Sequence, residues 1–336
     1  MPRSQSSTSE SSRTVMVRGQ AQPYLERVRI RSRDYFLLEA VGNSQRQRFR
    51  AFDPCHGPGG DFFLVQRLPK GPRTEQQLRI LHKLKHDSLP RVWDWQPTQN
   101  GFDVALSWME GVNLADYLEH VRAKRRPSVA AGEGVRLIHG LANAVCKLTH
   151  GSQIAHGDIQ PANVVLTGHT SRLVLIDFGS AWTQQMAASR LEGDGHHRCY
   201  AAPELQSGAT PVGFLADQFS VSVLCYELLT LRLPYGGLGG KAGRPEFINQ
   251  TRDALIPPSQ LLSARDELPR SLLDGLDRVV VRGLALDPAN RHPDRHAWLN
   301  DLFELMARFR LPPELPPGES LLTRVIEWFV NRRRSR

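Results

Sequence analysis

Long apolar runs are missing from this 336-residue chain: no stretch reaches the ~20 consecutive residues needed to cross a bilayer, so a helical membrane span is excluded. Cysteine is scarce, and Cys55, Cys146, Cys199 and Cys225 never fall at C-x-x-C spacing. That argues against a zinc ribbon or a disulfide framework and fits a reduced, cytoplasmic setting. His196-His197-Arg198-Cys199 looks like a metal cluster but lacks a second set of ligands, and zinc needs three or four. The first 22 residues are rich in Ser and Arg and have no apolar signal-peptide core, so they read as a disordered arm. Lysine is absent from the first 50 residues, where ten arginines face four acids; residues 321–336 hold five arginines against one glutamate. The net charge of +9 therefore sits at the ends of the chain, where an anionic partner is a candidate, and no pattern specifies nucleic acid. Arg27, Arg29, Arg31 and Arg33 alternate with Val28 and Ile30, as in a strand with one solvated, charged face. With 40% apolar residues, there is enough material for one domain with a sizeable core.

Against this plain background stand several ordered motifs. His156-Gly157-Asp158-Ile159-Gln160-Pro161-Ala162-Asn163 is followed by Asp177-Phe178-Gly179, then by Tyr200-Ala201-Ala202-Pro203-Glu204. Asp217-Gln218-Phe219-Ser220 opens an apolar run to Leu229, and Asp287-Pro288-Ala289-Asn290-Arg291 comes later. In this order and spacing, over roughly residues 34–308, the chain resembles the protein kinase family. The resemblance implies an α+β, bilobal fold, with a β-rich lobe over 23–107 and a larger helical lobe over 108–310; composition and apolar spacing add a Pro-rich linker with a basic amphipathic helix over 311–336. The resemblance also implies roles. Asp158 orients the attacking hydroxyl, Asn163 and Asp177 hold magnesium, Asp217 braces the catalytic-loop backbone, and Arg291 pairs with Glu204.

The nucleotide lobe departs from the family pattern. Of the glycine-rich loop only Gly42 survives, and Ser44 and Gln47 carry side chains where the backbone should approach phosphate. Gln66 stands where the family's phosphate-binding lysine is expected, and Gln77 where the glutamate that pairs with it should be. Two amides can satisfy one another, so a neutral strut between strand and helix is expected, with Glu75 as the alternative partner. Some kinases move the lysine to the neighbouring strand, and Arg46, Arg48 and Arg50 lie there. Placing Phe49 over adenine turns those arginines to solvent by strand alternation, so a rescue requires a bulge or a register shift. Leu64 replaces a small alanine in the pocket roof. Leu106 takes the gatekeeper position, and the backbone of Ser107 and Met109 is where adenine would bond.

The catalytic loop departs too: Gly157 and Gln160 replace the usual arginine and lysine, and His197 replaces a threonine. Loop-phosphate switching loses its cationic pocket, and the transferring phosphate loses a positive partner. His-Gly-Asp is also found in small-molecule phosphotransferases of the superfamily. The retained Asp158, Asn163 and Asp177 have a purely structural reading as hydrogen-bonding partners of the loop. Leu321, Leu322, Val325, Ile326 and Phe329 form an apolar helical stripe beside Trp328 and before Arg332-Arg333-Arg334, suited to a partner, a membrane surface or the chain's own large lobe. The expectation is a pseudokinase scaffold or allosteric regulator with impaired ATP binding and a protein partner. The alternatives are an active atypical serine/threonine kinase using Mg-ATP on a protein substrate and, third, a small-molecule phosphotransferase. The cofactor is Mg-ATP if the chain is active, and otherwise none.

Overall fold

The computed structural model describes residues 13–42, 47–70, 74–152, 155–168, 171–177, 198–206, 213–247, 254–263 and 267–310. The front half is antiparallel. Strands β1 (Thr14–Val17) and β2 (Gln20–Pro23) pair with each other. Strands β3 (Glu26–Ile30), β4 (Arg33–Ala40), β5 (Arg48–Asp53), β6 (Asp61–Pro69), β7 (Val92–Pro97) and β8 (Gly101–Ser107) form one sheet in the order β3-β4-β5-β6-β8-β7. Helix α1 (Thr74–Lys83) lies between β6 and β7.

Alternation along the strands divides the sheet into two faces. Val28, Ile30, Tyr35, Leu37, Ala51, Phe63, Val65 and Ala105 bury one another on one face. The other face carries Leu64 and Leu106, which join the main core together with Leu78 and Leu81 of α1. Strand β3 curls round to touch β7, where Arg31 bonds Gln96 and pairs with Asp94 at 2.8 Å. The expected charged strand is present, but its arginines are locally engaged: Arg27 with Asp34 at 2.6 Å and Arg33 with Asp53 at 3.0 Å.

Two expectations are corrected here. The segment expected as a disordered arm is paired from Thr14 onward, with Arg18 (φ 46°) and Gly19 (φ 87°) making the tight turn. Positive φ at both central residues matches the hairpin turn whose twist suits its strands. The hairpin is held because Val15 and Val17 pack on Phe52, flanked by Tyr24, Phe36, Leu38 and Phe62. The second correction concerns β5. Its register with β6 sets Arg48 opposite Gln66, Phe49 opposite Val65 and Arg50 opposite Leu64. Phe49 therefore lies on the face away from Leu64, packed against the closed core and under the Arg67 guanidinium. Arg48 turns toward Asp177 of the second lobe, and Arg50, on the same face of β5, pairs with Glu39 at 3.1 Å. The unbroken β5–β6 ladder fixes this face, one residue out of step with the expected alignment, and a one-residue slip moves every side chain to the opposite face; the irregularity between Leu37 and Glu39 falls on β4, where Leu38 has no counterpart on β5.

After Ser107 the chain becomes helical. A small antiparallel sheet of β9 (Gly111–Asn113), β10 (Val164–Thr167) and β11 (Leu173–Leu175) sits beside α2 (Leu114–Arg122). Helix α3 (Ala131–Ser152) packs on α5 (Phe214–Thr230) and α7 (Arg295–Arg310); α4 (Pro203–Gln206) precedes α5, and α6 (Arg270–Gly283) contacts both α5 and α7. Helix α5 is buried from Ala216 to Thr230, the environment a helix apolar all round demands. Its hydroxyls are satisfied within the helix: Ser222 and Thr230 donate to the carbonyls four residues back at 2.8 and 2.7 Å. Among the described residues no helix is long and apolar enough to cross a membrane. The 311–336 segment, residues 1–12, Ser44, Arg46, Phe178, Gly179 and His196-His197 lie outside the described residues.

Candidate active site in the interlobe cleft

Asp217 organises the floor of the cleft. From the first turn of α5 its two carboxylate oxygens accept the backbone N–H groups of His156 and Gly157 at 2.7 and 2.9 Å. Burial pushes this carboxyl up to about 7, against the two amide bonds that favour its ionised form. Gly157 has φ 72°, a left-handed conformation that glycine adopts without a Cβ penalty. The loop is thereby pinned on both sides of its turn.

Asp158 comes next and is buried. Gln160 Nε2 donates to its Oδ1 at 2.8 Å, while Asn163 Nδ2 donates to its Oδ2 and backbone oxygen at 2.9 and 2.8 Å. Asn163 has spent its amide nitrogen on Asp158, so its side-chain oxygen is the atom left for a cation. The backbone carbonyl of Asn163 accepts from Ile176 N at 2.8 Å, which sets Asp177 beside it. Asp177 is itself in a left-handed conformation (φ 65°), strain of about 1–3 kcal/mol of the kind that collects at functional sites. One amide oxygen and one buried carboxylate form a hard oxygen donor set, and this suits magnesium, which keeps its remaining coordination for water and phosphate.

The roof supplies what the sequence seemed to lack. Arg48 Nη1 lies 3.4 Å from Asp177 Oδ2, with the two side chains 13% and 0% exposed. The same guanidinium skirts Gly42, where a Cβ would stand 3.7 Å from Nη2. Arg48 also faces Gln66 across the β5–β6 ladder, so a cation occupies the rung where the family lysine would project. The expected outward orientation of Arg48 is thus wrong, and the β5–β6 register supplies the shift that the rescue required. Arg50 takes the place expected of Phe49: it lies opposite Leu64, its guanidinium 4.2 Å from the Phe62 ring centroid and 5.4 Å from that of Trp108. Sequence reasoning had the arginines in view and misjudged their face.

The neutral strut is not formed as expected. Gln66 is buried in place, but Gln77 Oε1 is buried with no hydrogen-bond partner among the described residues. The alternative partner, Glu75, pairs instead with Arg79 at 2.7 Å on the exposed side of α1. At the hinge Leu106 is buried, and Ser107 donates its N–H to Arg91 O at 2.9 Å while its Oγ accepts from Trp93 Nε1. Ser107 and Met109 remain half-exposed along the cleft edge.

Beyond the cleft, Arg291 is fully buried and clasps Glu204 through both guanidinium ends at 2.8 and 2.9 Å, as its spacing implied. Sequence reasoning missed a neighbouring network. Tyr200 donates to Glu227 Oε2 at 2.6 Å, and Arg122 reaches the other oxygen from α2. Burial and the Glu227 charge raise the Tyr200 hydroxyl far above its ordinary range. Tyr200 and Glu227 each stood within a motif, but nothing in the sequence linked them to each other or to Arg122.

Comparison with known proteins agrees with this geometry. The protein kinase domain family matches residues 66–299. The serine/threonine-protein kinase PknI of Mycobacterium tuberculosis is 27% identical over 262 residues, covering 77% of this chain and 37% of the relative. The carbon catabolite-derepressing protein kinase of Saccharomyces cerevisiae is 26% identical over 255 residues, covering 73% and 35%. The chain thus spans little more than a third of the length of these relatives. Among solved structures, the PknI kinase domain superposes with TM-score 0.55 at 22% identity, covering 83% of this chain and 98% of that one. Rad53 in complex with AMP-PNP gives TM-score 0.58 at 19% identity, covering 80% and 64%. With the family model spanning well over half its length and the kinase architecture in place, this chain belongs to the protein kinase family.

Proposed function

We propose that the chain is an atypical serine/threonine protein kinase that uses Arg48, on β5, as the phosphate-facing cation in place of the missing strand lysine. The observation that carries this reading is the Arg48–Asp177 approach at 3.4 Å beneath Gly42. A guanidinium in a largely water-excluded cleft neutralises phosphate charge and offers planar, two-pronged hydrogen bonding. Bound magnesium would supply further charge neutralisation at Asn163 and Asp177. Asp158 then receives the proton of an incoming hydroxyl at a carboxylate oxygen, and for that Gln160 must release Oδ1. The relatives' protein-kinase names favour a protein hydroxyl over a small alcohol as acceptor.

A second reading, a pseudokinase regulator, is favoured by one observation: both oxygens of Asp158 are held by amides, and Gln77 offers no charge to anchor Arg48 from α1. Labelled-phosphate transfer from Mg-ATP, to the chain itself and to casein, separates the two. The kinase reading expects transfer that falls at least tenfold in Arg48→Gln and disappears in Asp177→Ala, a loss in keeping with removing an electrostatic stabiliser. Full transfer by Arg48→Gln, or none by the wild type despite Mg-ATP binding, sinks it and leaves the regulator.

A further inference from the structure

We propose that the face of the small lobe that carries the β1–β2 hairpin is a docking surface for an anionic membrane. Among the described residues four large apolar side chains stand out in solvent, and two of them, Met16 at 59% exposure and Leu25 at 60%, belong to this one short stretch. They project on the same side of the sheet. Val15 and Val17 turn inward onto Phe52, so alternation in the β1–β2 register leaves Thr14, Met16, Ala21 and Pro23 on the outward face, all exposed. The inward face of the hairpin also rests against Phe36, which stands opposite Arg27 in the β3–β4 ladder and carries its guanidinium at 5.9 Å. Arg27 and Arg29 therefore project on the hairpin's side of the sheet. Leu25, whose N–H donates to Leu37 O at 2.7 Å, extends their row.

Charge selects the occupant. Residues 13–33 hold six arginines against one glutamate. Arg27, Arg31 and Arg33 pair with Asp34, Asp94 and Asp53, and the glutamate, Glu26, pairs with Arg67. Arg13, Arg18 and Arg29 pair with no carboxylate among the described residues. Arg18 stacks on Phe62 beside a small cavity that Asp61 and Glu110 also line, so the cationic end of the face is the other one, where Arg13 accepts the N–H of Tyr24 next to Leu25. Single apolar side chains among long arginines suit the headgroup–acyl boundary of a bilayer: Met16 and Leu25 enter the acyl layer while the guanidiniums reach lipid phosphate. Nucleic acid would leave both apolar side chains without a role. A specific protein interface covers about 1,000 Å² or more, well beyond these few side chains.

Flotation of the full chain with vesicles of phosphatidylcholine alone, or of phosphatidylcholine and phosphatidylserine in equal parts, tests this. Wild type is expected on the mixed vesicles and not on the neutral ones, with binding that falls as salt is raised. Met16→Asp combined with Leu25→Asp is expected to weaken partition about tenfold, and Arg13→Gln or Arg29→Gln about fivefold each. Phe303→Asp, a comparably exposed position in the large lobe, should partition as wild type does. Glutamines at Arg332, Arg333 and Arg334 should leave binding that still depends on Met16 and Leu25. Should the double aspartate variant fail to fold, Met16→Trp provides a second readout, with emission expected to shift to the blue on mixed vesicles. Partition that the folded double variant retains in full, equal partition onto neutral vesicles, or no blue shift from Met16→Trp overturns the proposal. Binding that disappears with the three C-terminal arginines alone assigns it to that segment and also overturns it. No partition of wild type does the same and leaves a protein partner as the occupant of this face.

Discussion

Arg291 shows how a single side chain can tie distant parts of the large lobe together. All five of its N–H donors are used: two on Glu204, and the others on the carbonyls of Ala285, Leu215 and Leu286. Its guanidinium also lies 4.8 Å from the Phe219 ring centroid. Removing it leaves Glu204 without its partner in a mostly buried position. Arg291→Ala is expected to lower stability by about 3–5 kcal/mol, read as a drop in urea midpoint with unchanged slope. Asp217 gives a pH signature. Its native carboxyl titrates near 7, whereas the unfolded chain releases the proton near 3.9, so between those values the native state holds a proton that the unfolded state lacks. Stability from this group is complete at low pH and is lost as pH rises through about 7. The urea-derived advantage of wild type over Asp217→Asn should shrink from pH 5 to pH 8; a constant or widening gap contradicts the assignment. At the Arg48–Gln66 rung, the proposed cation should be portable across the ladder. Exchanging the two as Arg48→Gln with Gln66→Lys should restore most of the nucleotide affinity lost in Arg48→Gln alone. Gln66→Lys by itself sets like charges directly opposite and should cost about 0.2–1 kcal/mol.

At the scale of elements, legibility followed the range of the interactions involved. The catalytic loop could be read because its chemistry is local: Asp158 and Asn163, five residues apart, bond one another directly. Helix α5 could be read because burial on all sides leaves an unbroken apolar run with few alternatives. The face of β5 could not, because it depends on the register with β6, a pairing across the loop that local sequence does not encode, and alternation then propagates a one-residue error to Arg48, Phe49 and Arg50. The β1–β2 hairpin was hidden for a different reason. Gln20, Ala21, Gln22 and Pro23 have little strand character, and the hairpin depends on Val15 and Val17 finding Phe52. Val17→Ala should therefore cost about 1–2 kcal/mol through lost burial, visible as a lower thermal midpoint, although the residue lies outside any motif. A comparable loss is expected at Gly283 in α6, where an added Cβ would stand 2.1 Å from Ser222 Oγ; Gly283→Ala should destabilise by about 1–3 kcal/mol.

Across the whole molecule, the two lobes meet where β5 and the Asn163–Asp177 segment face each other, so ligands in the cleft should stabilise both. At a nucleotide concentration a hundredfold above Kd, linkage predicts about 2.7 kcal/mol of added stability and a rise in melting temperature; at one fixed nucleotide concentration the rise should be larger with magnesium than without. The family model begins at Gln66, so β1 to β5 precede the matched region even though β5 supplies the cleft's cation. The sealing of the small lobe has a consequence for recognition. Edge strands β3 and β7 of the six-stranded sheet approach each other, and Arg31 ties that corner through the side chains of Gln96 and Asp94. A partner seeking backbone pairing by strand addition meets a crowded approach to those edges. Among the described residues of this lobe, the β1–β2 hairpin is a two-stranded sheet of its own, with Met16 59% exposed, and so is the better template for an incoming strand.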